Sequence, residues 1–102
     1  MSYHRAMSYA PKIILHTPLA DPAKLDSFVE DCLADGVVLV AVVGPDSNKV
    51  EDLIDELVVG DASDKSRFVV TSSHCNEPLD EVLNFVSHFD AGPGAQIEQV
   101  RF

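Results

Sequence analysis

The sequence predicts an α/β domain: a four-stranded, mostly parallel sheet with helices on both faces. Three observations carry this. Val37 to Val43 is an unbroken apolar run rich in β-branching, the mark of a strand buried on both faces rather than wet on one. On either side of it, apolar residues recur at i, i+3, i+4, i+7 and i+8: Leu25, Phe28, Val29, Cys32 and Leu33, then Val50, Leu53, Ile54, Leu57 and Val58. That spacing lines one face of a helix. Strand-like and helix-like segments then alternate to the end of the 102 residues, the pattern of βαβ units with parallel strands.

Taken in order, residues 1–10 read as an N-terminal arm, with Tyr3 and Tyr9 as anchors, and residues 11–102 as a single domain. Strand one is Ile13 to His16, closed by Thr17-Pro18 because a residue before proline avoids the helical region. Asp21-Pro22 opens helix one as a cap and a first-turn proline, and Gly36 stops it. Strand two is Val37 to Val43, followed by a turn at Gly44 to Ser47. Asn48 caps helix two, with Glu51 placed as in a capping box, and Gly60 ends it. A polar loop, Asp61 to Ser66, leads to strand three at Arg67 to Thr71. Asn76 caps helix three, whose apolar face is Leu79, Val82, Leu83, Val86 and Phe89. After the break at Asp90 to Gly94, Gln96 to Phe102 alternates partly, as an edge strand does.

The order is thus βαβαβαβ. Strand two is the most apolar and belongs inside the sheet. This favours strand order 3-2-1-4 over 2-1-3-4, which would leave it at an edge.

Charge narrows the partners. Seventeen acids face seven scattered bases, for a net charge of −10. Binding a phosphate backbone needs clustered Lys and Arg, so nucleic acid is excluded as a partner. An anionic membrane surface is disfavoured for the same reason, whereas a basic partner is attracted. Two cysteines, Cys32 and Cys75, fall in positions expected to be buried or half-buried. With no disulfide framework, they suggest a cytoplasmic protein. Met1 to Ala10 lacks the apolar core of a signal peptide, and Val37 to Val43 is too short to span a bilayer.

In an open parallel sheet, ligands bind beyond the carboxyl ends of the strands. The three loops leaving those ends carry Thr17, then Asp46, Ser47 and Asn48, then Ser72, Ser73 and Asn76 as candidate ligand-binding residues. The same residue types serve as helix caps and turn formers. Cys75, with His74 and His16, is the candidate catalytic group, since a thiol at a helix N-terminus is acidified. Rhodanese-like and low-molecular-weight phosphatase-like enzymes also place a nucleophilic Cys at a strand end. They follow it with a loop of backbone N–H groups and an Arg, whereas Cys75 is followed by Asn76-Glu77-Pro78-Leu79-Asp80-Glu81. An ordinary thiol is the expectation.

His16, Asp46, His74 and Cys75 are metal-ligand types, but they lack the paired spacings of a zinc site. No metal is expected, nor any cofactor. No G-x-G-x-x-G follows strand one, and there is no P-loop. The loop after strand one is not the phosphate loop of a flavodoxin. The acids of a response-regulator receiver are missing from the ends of strands one and three. The whole-length pattern, such as Leu57-Val58-Val59-Gly60-Asp61 before strand three, resembles short bacterial domains of unknown function, a likeness that implies no activity.

The leading expectation is a non-catalytic module that binds a protein partner or its own copy, through its acidic helices or the edge strand 96–102. The alternatives are a small enzyme or ligand binder using Cys75, His74 and His16, and an acidic inhibitor or immunity-type protein. Whether His16, Asp46, His74 and Cys75 surround one pocket discriminates between these readings.

Overall fold

Among the described residues, four parallel strands form one sheet, in which the third, second, first and fourth strands along the chain lie side by side in that order. The computed structural model describes residues 8–60, 68–92 and 94–102. The strands are β1 (Lys12–His16), β2 (Leu39–Val43), β3 (Val70–His74) and β4 (Ile97–Val100). Helices α1 (Leu25–Asp35), α2 (Ser47–Val59) and α3 (Leu79–His88) link them, and a short 3-10 turn, Pro22–Lys24, precedes α1. The strand order is the one that the apolar run of strand two favours.

The layering follows from the connections. The chain steps from β1 to β2 to β3 in one direction, then reverses past β1 to β4. Crossovers of one hand therefore put α1 and α2 on one face and α3 on the other. Two cores result. Ile13, Leu15, Val40 and Val42 pack with Phe28, Val29 and Cys32 of α1 and Ile54 and Val58 of α2. Ile14, Leu39, Ala41 and Val43 pack with Val82 and Val86 of α3. Alternation along β1 and β2 divides the strand side chains between them. Ile13, Ile14 and Leu15 are all fully buried, at about 1.5–3 kcal/mol of stabilisation each.

The arm and the C-terminus close the α1 side. Tyr9 meets Phe28 edge-on at 5.4 Å, and Phe28 meets Phe102 at 5.2 Å. The backbone N–H of Ala10 donates to Glu98 Oε1 over 2.9 Å. Tyr3 lies outside the described residues.

Several local expectations shift. Strand three runs from Val70 to His74 instead of Arg67 to Thr71; Arg67 and the loop at 61–66 lie outside the described residues. Asp21 gives no side-chain cap, and α1 proper begins only at Leu25. Helix α2 begins at Ser47 after Asp46, so Asn48 lies inside it. Helix α3 follows Pro78 in extended conformation, two residues beyond Asn76. No side chain caps its first turn, and Pro78 O accepts from both Glu81 and Val82 N–H. Cys32 is buried as expected, but Cys75 is exposed.

Candidate functional site

The carboxyl ends of the strands gather the expected polar residues along one edge, and local bonds consume most of them. Thr17 ties the first two loops together. Its N–H and its Oγ1 both donate to Val43 O, at 2.9 Å each, and Oγ1 also lies 2.6 Å from Pro45 O. Gly44 lets the loops approach: a Cβ there would lie 2.6 Å from Thr17 O, and its φ of 107° is one that L side chains avoid. Asp46 is exposed, in left-handed conformation, and 3.9 Å from Lys49 Nζ. Ser47 is fully buried, and its Oγ has no hydrogen-bond partner among the described residues. Asn48 and Asn76 are exposed.

His16 is half-buried, and its Nε2 lies 2.8 Å from Gln99 Oε1. That pair sits between β1 and β4, where the chain reverses direction, the usual ligand position in such folds. A crevice of about 390 Å³ there is lined by His16, Thr17, Pro18, Ala20, Arg101 and Phe102. Asp46 instead lines a neighbouring crevice of about 260 Å³ with Leu25, Val50 and Leu53.

His74 is elsewhere. It shares a register row with Val43 and His16, so two strand spacings, about 10 Å, separate the histidine backbones. It is buried at 7% exposure. Its Nδ1 lies 2.7 Å from Glu77 Oε2 and its Nε2 lies 2.9 Å from Ser72 Oγ. A carboxylate only accepts, so Nδ1 carries the proton toward Glu77. In the neutral ring Nε2 then accepts from Ser72. Phe85 of α3 packs against this imidazole at 5.1 Å between ring centres. Cys75 points to solvent beside it. The four residues whose convergence would mark an active site are therefore not brought together. Among the described residues, no group of three His, Cys, Asp or Glu side chains is placed to hold a metal ion.

Among the described residues, no strand pairs with the outer edge of β3. Val70 N–H donates to Val38 O over 3.0 Å. By the alternation of a parallel ladder, Val70, Ser72 and His74 turn their backbone groups toward β2, and Thr71 and Ser73 turn theirs outward. No Asp, Glu, Lys or Arg occurs in this strand. Its flanks carry exposed apolar side chains: Phe68 at 72%, Val59 of α2 at 54% and Phe85 of α3 at 42%. A groove of about 630 Å³ runs along the α3 flank past Glu81, Phe85, His88 and Phe89. Charge and burial could not reveal this feature from sequence, because the polar residues of β3 read as loop.

No described helix is long and apolar enough to cross a membrane. No curated protein and no solved structure matches the chain at a significant level. A family model does match, over residues 6–101. With nearly its whole length covered, the chain belongs to the domain of unknown function family DUF7684.

Proposed function

We propose that this protein is a non-catalytic binding module of the cytoplasm that takes up an extended partner segment along the free edge of β3. The observation that carries this is the pair of outward-facing backbone units at Thr71 and Ser73 on an uncharged strand. Unprotected edges invite strand addition, and folded proteins normally blunt them with charge or proline. The other edge, β4, is blunted: it contains Glu98, is followed by Arg101, and is tied to the arm through Ala10. The binding edge is therefore β3 in preference to residues 96–102. In strand addition the backbone hydrogen bonds supply affinity and flanking side-chain sites supply selectivity.

The experiment is selection of hexapeptides from a random display library, followed by mapping of the best binder on the ¹⁵N-labelled protein. The reading expects the largest amide shifts at Thr71 and Ser73. It also expects binding to be lost in Ser73→Pro, which removes an outward N–H and no ladder bond. Binding that maps to the His16 crevice, or that survives the substitution, would count against it.

A second reading rests on the Ser72–His74–Glu77 bonds. A carboxylate that orients an imidazole toward a serine hydroxyl is the wiring of an activated nucleophile. The burial of His74 beneath Phe85 works against it, because a substrate needs access to that imidazole. Labelling of Ser72 by a fluorophosphonate, lost in His74→Gln, would establish this reading; an unlabelled Ser72 would dismiss it.

A further inference from the structure

Resting on the β3-edge reading, we infer that the segment this edge takes up is basic, with Lys or Arg alternating with apolar or aromatic residues. An added strand points successive side chains to opposite faces. One set would meet the flank of α2, the other the flank of α3. Asp55 identifies the α2 flank, since its carboxylate accepts from the hydroxyl of Thr71. Glu51 and Val59 lie one turn before and one turn after it, on the same side of the helix.

Phe85 identifies the α3 flank through its contact with His74. Glu81 lies one turn before it and lines the same groove, together with Phe85, Phe89 and Asp90. Glu77 stands at the top of the strand with its side chain 46% exposed. The edge is therefore bordered by Glu51 and Asp55 on one side and by Glu77 and Glu81 on the other. Among the described residues neither flank carries Lys or Arg. The Phe85 and Phe89 rings in the groove lining accept an aliphatic or aromatic side chain, and the acidic borders accept cations. The net charge of −10 acts in the same sense at longer range and repels a second copy of this chain.

The test uses three blocked hexapeptides of identical alternation, KVKFKV, TVTFTV and EVEFEV, titrated into the labelled protein. The basic peptide is expected to bind about tenfold more tightly than the neutral one in dilute buffer, with the gap closing toward about 0.5 M salt. The acidic peptide is expected not to bind. The paired surface substitution Asp55→Asn with Glu81→Gln is expected to bring the roughly tenfold affinity ratio of basic to neutral peptide down toward one; a ratio that stays near tenfold would overturn the basic assignment. Neutral and basic peptides that bind equally, both shifting Thr71 and Ser73, would overturn the basic assignment and leave the edge reading standing. So would a protein that dimerises through those amides without peptide. Failure of every peptide to shift those two amides would overturn the edge reading itself.

Discussion

The Lys12 ammonium donates a 2.9 Å hydrogen bond to the carbonyl oxygen of Val86, 74 residues further along the chain. It lies 3.1 Å from Phe89 O and 3.5 Å from Ser87 O as well, and the residue is only 4% exposed. A lysine at the start of an interior strand therefore closes the carbonyl end of α3, where a cation is favoured. Lys12→Met keeps the stem but takes the ammonium donor from those carbonyls, leaving Val86 O with the Phe89 N–H. It should lower stability by about 1–3 kcal/mol, read as a drop in the urea midpoint with unchanged slope. An unchanged midpoint would mean that the ammonium contributes nothing.

Gly44 and Gly36 both have positive φ, but only Gly44 is crowded. Gly36→Ala meets open space and should cost about 1 kcal/mol of left-handed strain. Gly44→Ala adds a clash with Thr17 O and should cost about 3 kcal/mol or more. Thermal unfolding of the two variants checks the difference; equal losses would show that the Thr17–Gly44 approach is not tight.

Ser47 buries a hydroxyl for which the described residues offer no partner. Ser47→Ala should therefore be neutral within about 0.5 kcal/mol, or stabilising. A loss beyond about 1.5 kcal/mol in urea unfolding would reveal a hydrogen bond at that site.

Cys75 is exposed and Cys32 is 2% exposed. Iodoacetamide should label Cys75 readily in the native protein, while Cys32 reacts only as the domain opens. Mass spectrometry of timed samples separates them. Simultaneous labelling would contradict the burial of Cys32 under α1.

Much of this architecture is legible in the residues. The Val37 to Val43 run places β2 inside the sheet, and the two i, i+3, i+4 series locate the apolar faces of α1 and α2. Strand β3 is displaced because Ser72, Ser73 and His74 have the composition of a loop. They form a strand through tertiary pairing: β2 supplies the ladder, Asp55 engages Thr71, and His74 engages Ser72. The caps at Asp21, Asn48 and Asn76 fail for a related reason. Prolines, backbone turns and inter-loop bonds settle those helix starts, and none of these appears in a capping pattern. The role of Lys12 is invisible in sequence, since its acceptors belong to the far end of α3. The candidate edge was illegible too, because an edge is defined by which strand lacks a neighbour.

Hydrogen exchange along β3 tests the central claim most directly. In the free protein the amides of Ser72 and His74, which face β2, should exchange at least about a hundredfold more slowly than those of Thr71 and Ser73. Saturating basic peptide should bring Thr71 and Ser73 to comparable protection and leave Ile97 and Gln99 of β4 unchanged. Slow exchange at Thr71 and Ser73 without any peptide, or no change on adding it, would contradict an open edge on β3 that binds by strand addition.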